Sequence, residues 1–180
     1  MADVNLKDKG GIVKYGGGVL RVSECSDAGV LVGSDFTDLG YIEVTDFKDD
    51  RAEEKTFDET GAIVKRNYGD RDILFEATLM QTNVEVLDFI MAAENKYYTL
   101  YYKATKTGDI NAKTQELFAG ICQIKPSIRI QSGQKRLPIS MQMLPNESAI
   151  SITTPATLFE SVETDTVVIA ANAYYKIVEN

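Results

Sequence analysis

The sequence contains no histidine and no tryptophan among its 180 residues. Without histidine, the chain can form neither a Ser-His-Asp triad nor a Cys-His dyad, and it has no histidine-ligated zinc or iron site. The two cysteines, Cys25 and Cys122, are too far apart for a CxxC pair or a metal-binding spacing. We therefore expect two reduced thiols in the core, no metal or cofactor, and no enzymatic activity.

Long apolar runs are also missing. No apolar run is longer than Val167 to Ala171, which has the size of a strand, whereas a membrane-spanning helix needs about 20 apolar residues. The residues from Met1 to Asn5 carry neither a basic nor an apolar signal region. We expect no membrane insertion, and a protein that is made in the cytoplasm.

Basic residues are scarce relative to acidic ones. The chain has 19 Lys and Arg against 27 Asp and Glu, which gives a net charge of −8. Binding to a phosphate backbone needs a basic surface, so this balance argues against a general nucleic-acid-binding protein. It suits a soluble surface that must not adhere to DNA.

Apolar and polar residues alternate along most of the chain, which is the pattern of strands with one buried face. The alternation predicts strands at 19–25 (after a turn at 16–18), 41–47, 62–68 (after a turn at 59–61), 72–81, 96–104, 117–131, 137–144 and 166–178. A sheet with one apolar face must pack it on another layer. We therefore predict a mainly β fold, a sandwich or a small barrel, in a single domain over 1–180. The Ser/Thr-rich segment 146–165 is predicted to be a long connection or an excursion.

One segment departs from the alternation. Thr82 to Glu85 matches a capping box, in which the Thr and Glu side chains satisfy backbone amides at a helix start. Apolar residues then recur at the helical period, at Val84, Val86, Leu87, Ile90 and Met91. We predict one amphipathic helix at about 83–94, which closes one face or end of the sheets.

Four tyrosines follow this helix. In a strand, Tyr97 and Tyr101 share one face while Tyr98 and Tyr102 share the other. At least one pair is therefore predicted to be core, and an exposed pair would be available for an interface or as a stacking platform for bases or sugars.

Charge is distributed unevenly along the chain. Residues 43–59 carry eight acidic and three basic side chains, whereas residues 117–146 carry four basic and no acidic ones. The acidic pairs lack the spacing of a Ca²⁺ loop, so we interpret them as a solvated or interfacial surface. The pattern leaves two alternatives: pairing inside one molecule, or an acidic and a basic face that meet between copies in rings or filaments. The candidate interface residues are Asp46, Asp49, Asp50, Arg51, Glu53, Glu54, Lys55, Lys125, Arg129, Lys135 and Arg136.

The chain resembles the tail tube proteins (major tail proteins) of bacteriophages. The resemblance lies in residues 38–44, DLGYIEV, which lead into a long charged hairpin at about 43–65, and in residues 75–82, FEATLMQT, which lead into the helix and the Tyr-rich strand. It covers most of residues 15–145 in the order of elements.

The resemblance implies a β-sandwich or half-barrel with a flanking helix, located in the virion tail. Hexameric rings of this subunit would stack into a tube, and DNA would pass through an acidic lumen without specific binding. The hairpin would reach the neighbouring ring. Tape-measure, tail terminator and baseplate or sheath proteins would be the further partners.

Two other functions fit the residues. One is a monomeric β-sandwich binding module, carbohydrate- or adhesin-like. The other is a different virion part, such as a capsid decoration or baseplate protein. Rings or tubes of the purified protein would separate the tail tube from the first alternative.

Overall fold

The computed structural model describes residues 17–32, 36–79, 84–104, 115–126, 137–153 and 166–179. The described residues form nine strands and one helix. In chain order they are β1 (Gly17–Cys25), β2 (Thr37–Phe57), β3 (Ile63–Leu79), α1 (Val84–Ala92), β4 (Tyr97–Ala104), β5 (Gln115–Pro126), β6 (Leu137–Leu144), β7 (Ile150–Thr153), β8 (Thr166–Ile169) and β9 (Tyr175–Glu179). The predicted mainly β fold with a flanking helix is confirmed.

Six of these strands close on themselves as an antiparallel barrel. Neighbours pair in the order β4-β1-β2-β3-β6-β5, and β5 pairs again with β4. The last pairing joins Tyr98 to Cys122 and Lys103 to Glu116. The closure uses both edges of the sheet, so the barrel core belongs to a single chain.

The main hydrophobic core fills the barrel. Alternate residues of each strand point inward, as in β6, where Leu137, Ile139, Met141 and Met143 are buried as predicted. Gly18 lies in β1 rather than in the predicted turn. The position requires glycine, because a Cβ there would lie 2.3 Å from the Tyr102 ring. Both cysteines are buried and free, as predicted.

The helix packs on this core with most of the predicted stripe. Ile90 and Ala93 are buried, and Val86, Leu87 and Phe89 pack partly against the same cluster. Met91, which was predicted to belong to the buried stripe, is 55% exposed. Thr82 lies outside the described residues. None of the described helical residues forms a segment of the length and apolarity that a membrane crossing requires.

A second, smaller core lies on the outside of β4 and β5. The hairpin of β7 and β8 covers Tyr101 and Phe118, whose rings stack at 5.0 Å. The prediction that at least one tyrosine pair is core is confirmed, because Tyr98 and Tyr102 fill the barrel. The other pair is not exposed as expected, since Tyr101 is buried in the outer cluster and Tyr97 packs partly against it.

The segment 166–178 forms two strands, not the one long strand that was predicted. A turn interrupts it, with Asn172 in the left-handed region at φ 59°. β8 then pairs with β7, whereas β9 pairs with residues 115–119 of β5. β9 thus continues the position of β6, which pairs with residues 121–126 of the same strand. Within 146–165, residues 150–153 are a strand, and residues 154–165 lie outside the described residues.

Candidate assembly surface

The outer halves of β2 and β3 form a two-stranded arm, which we define as residues 50–72. β3 pairs with β6 only from Ile73 onward, and β2 pairs with β1 only up to Glu43. Among the described strands, residues 50–57 and 63–72 therefore pair with each other alone. At about 3.3 Å per residue, the paired part is roughly 25 Å long. The predicted charged hairpin is present, and it projects from the barrel.

A compact turn ends the arm. One Asp58 carboxylate oxygen accepts hydrogen bonds from the Thr60 amide at 2.8 Å, the Thr60 hydroxyl at 2.7 Å and the Ala62 amide at 2.9 Å. These bonds, with that of the Thr60 hydroxyl first, lower the pKa of Asp58. Gly61 has a φ of 82°, which glycine adopts without strain. The predicted turn at 59–61 is confirmed.

Three apolar side chains lie beside this turn, and we call them the tip. Phe57 is 57% exposed, Ile63 43% and Val64 68%. Phe57 and Ile63 are also opposite each other in the register. A projecting ribbon with unpaired strand edges and apolar residues at its end is a surface that natural monomers usually avoid.

The register of the arm sets like charges opposite each other. Asp50 faces Asp72, and Arg51 faces Arg71. Directly opposed like charges destabilise a strand pair. Asp72 accepts a hydrogen bond from the Gln142 side chain at 2.9 Å, and Arg71 turns to Asp49 instead.

Five side chains join the arm to the barrel, and we call them the root: Phe47, Asp49, Arg71, Tyr174 and Tyr175. The Arg71 Nε donates to Asp49 Oδ1 at 2.9 Å, and its Nη2 donates to Oδ2. The Tyr175 hydroxyl, 126 positions along the chain, donates to the same Oδ2 at 2.8 Å. The Arg71 guanidinium lies over the Tyr174 ring, 5.5 Å from its centroid. Phe47 meets the Tyr175 ring edge to face at 5.2 Å.

The predicted interface residues of segment 43–59 fall into three groups. Asp46 pairs with Lys48 at 3.1 Å and Glu53 with Lys55 at 3.5 Å, both within the arm strand β2 or its base. Asp49 belongs to the root. The others, Asp50, Arg51 and Glu54, are exposed.

Of the four basic residues predicted in segment 117–146, the structure describes only one. Lys125 is exposed near the end of β5, and Arg129, Lys135 and Arg136 lie outside the described residues. In the described part of the chain, no ion pair joins residues 43–59 to residues 117–146. Sequence reasoning missed Arg71, Tyr174 and Tyr175, because their contacts depend on a register shift and on the position of β9.

A scan against protein-family models finds no match, and searches of the curated proteins and of the solved structures find no significant match either. The described residues also contain no group of three or more Cys, Asp or Glu side chains that could hold a metal ion. The arm is therefore the structural feature on which a proposal of function can be based.

The root predicts a specific acid sensitivity. The Arg71 guanidinium, with further help from the Tyr175 hydroxyl, holds the pKa of Asp49 below its ordinary value. Its stabilising contribution is present above the unfolded pKa of about 3.9 and is lost as the pH falls through the lower folded value. We expect the free energy of unfolding of the parent to fall more steeply below about pH 4 than that of Asp49→Asn, as measured by urea unfolding. Equal slopes in the two proteins would contradict this.

Proposed function

We propose that this chain is a structural subunit that assembles with copies of itself into stacked rings, forming the tube of a phage tail. The observation that carries the proposal is the arm, a charged ribbon with an apolar tip that projects from a barrel already closed within one chain. Such a subunit folds alone, and it keeps a separate element with which to reach a neighbour.

The charge of the chain supports the same proposal. A net charge of −8 gives a tube through which DNA slides, because an acidic wall repels the phosphate backbone. The arm also carries exposed acidic residues, among them Asp50 and Glu54. Exposed ion pairs contribute only about 0–1 kcal/mol each. Charge would therefore set the register between copies, and apolar burial with added strand pairing would hold them together.

The rival proposal of a monomeric binding module loses support, because its candidate ligand-stacking tyrosines are mostly buried. Tyr97, Tyr98, Tyr101 and Tyr102 were the side chains that could have stacked on a sugar, and the barrel and the outer cluster bury three of them. Among the described residues, the largest exposed apolar side chains are dispersed or lie at the tip.

The test is the oligomeric state of the purified protein, by negative-stain electron microscopy and sedimentation velocity. We expect rings or tubes that form more slowly at moderate salt but do not dissolve once formed. A compact monomer at every concentration and salt would overturn the proposal.

Charge reversal tests which segments meet. Lys135→Glu with Arg136→Glu is expected to block assembly and leave the monomer folded. Asp50→Lys with Glu54→Lys should then restore part of it, since both acids are exposed and Asp49 is engaged at the root. The matched control is Asp27→Lys with Glu94→Lys, two exposed acids outside the arm, which should restore nothing. Normal assembly of the first variant would contradict the pairing of these segments.

A further inference from the structure

The strand pairing that forms the arm does not by itself determine the angle between the arm and the barrel. The arm continues two barrel strands and, among the described strands, has no third strand beside it. Two-stranded ribbons twist more than wider sheets, and an isolated hairpin is marginally stable. Its own hydrogen bonds fix the pairing of β2 with β3, but they do not fix the angle between the ribbon and the barrel.

The ion pairs within the arm cannot fix this angle either. Glu53 and Lys55 lie on the same strand, so their contact moves with the arm as a whole. Besides the hydrogen bond that Gln142 of β6 donates to Asp72, the contacts that link the arm base to another element come from β9. They are the Tyr175 hydroxyl on Asp49, the Tyr174 ring under Arg71, and the edge-to-face contact of Tyr175 with Phe47.

We propose that Tyr174 and Tyr175, at the start of β9, form a latch that holds the arm at one angle to the barrel. β9 is itself anchored, because residues 175–179 pair with β5 of the barrel. Asp49 and Arg71 lie on the two different strands of the arm base, so the latch holds both strands at once. The proposal concerns the single chain and does not depend on the proposed function.

The parts of the latch have different tasks. The Asp49–Arg71 pair is bidentate, which restricts the geometry of both side chains. Its side chains are 23% and 31% exposed, so the pair is partly shielded from water. The tyrosines then connect this pair to the barrel through one hydrogen bond and one cation–π contact, and Tyr175 also contacts Phe47. Removal of the tyrosine contacts should leave the arm folded but free to swing.

The test is a distance measurement between two spin labels by pulsed electron resonance. Glu54→Cys places one label on the arm and Asp27→Cys places the other beside β1. The native thiols do not compete, since burial raises the pKa of Cys25 to about 11 and also raises that of Cys122. The unlatched variant is Tyr174→Leu with Tyr175→Phe, which keeps apolar volume at both positions.

We expect one narrow distance distribution for the parent, and a distribution that widens or moves for the unlatched variant. Asp49→Asn should give a change in the same direction. The controls are Tyr41→Phe, which removes a hydroxyl from a side chain that is 54% exposed, and Glu53→Gln, which breaks the pair with Lys55. Both controls should keep the parental distribution.

Three results would overturn the latch. One is a parental distribution in the unlatched variant, and another is equal widening in either control. The third applies if circular dichroism shows that the unlatched variant is unfolded. The latch is then tested with the single variant Tyr175→Phe. This single change removes the hydroxyl and keeps the ring on Phe47, so an unchanged distribution in it would also reject the proposal.

Discussion

Ile90→Asp is expected to remove most of the stability of the protein. Ile90 is 1% exposed and belongs to the barrel core cluster, on the helix that joins β3 to β4. A carboxylate there would be buried without a partner. Substitutions of this kind cost roughly 4–5 kcal/mol or more, which is a large part of the usual stability of a domain. Urea unfolding followed by circular dichroism measures the loss.

The adjacent residue supplies the control. Met91→Asp changes a side chain that is 55% exposed on the same helix, so its effect should be within about 0.5 kcal/mol. Leu87→Asp, at a half-buried position, should fall between the two. If Ile90→Asp unfolds at the same urea concentration as the parent, or if Met91→Asp loses as much, then the helix does not pack as described.

Replacement of the tip by threonine is expected to weaken assembly strongly without changing the monomer. The variant Phe57→Thr, Ile63→Thr and Val64→Thr keeps residues that favour strands. Burial of one such apolar side chain contributes roughly 1.5–3 kcal/mol. Even half of this value at three positions raises the concentration needed for assembly more than about tenfold.

Sedimentation velocity against protein concentration measures this change. Urea unfolding of the monomer should be unaltered, because the tip side chains are already exposed. Val30→Thr with Val32→Thr is the control, since these residues are 67% and 70% exposed in the chain between β1 and β2. Assembly of the tip variant at the parental concentration would show that the tip is not a contact.

Local patterns predicted the elements of the fold but not their closure. The alternation in 137–144 gave the buried face of β6 correctly, and the helical period located α1. Closure depends on pairings such as Gly18 with Ala104, which no local pattern encodes. Tyr101 was misjudged for a similar reason, because the β7–β8 hairpin that covers it comes from a later part of the chain. Asn172 was a usable turn signal, since asparagine tolerates the left-handed region.

The candidate site was predictable in outline only. Composition identified 43–65 as a charged hairpin, and the turn residues located its end. The chemistry at its base was not predictable, because Asp49 and Asp50 are equivalent in the sequence. Only the register, which directs Asp49 toward Arg71 and Tyr175, distinguishes the two acids.

β9 is the last of the described strands along the chain, and this order matters for the arm during synthesis. All six barrel strands precede Tyr175 along the chain, so during synthesis they leave the ribosome before β9 does. The barrel can close while Asp49 and Arg71 are still without the two tyrosines. On the latch proposal, a barrel that closes before β9 is in place would carry a loosely held arm until β9 pairs with β5.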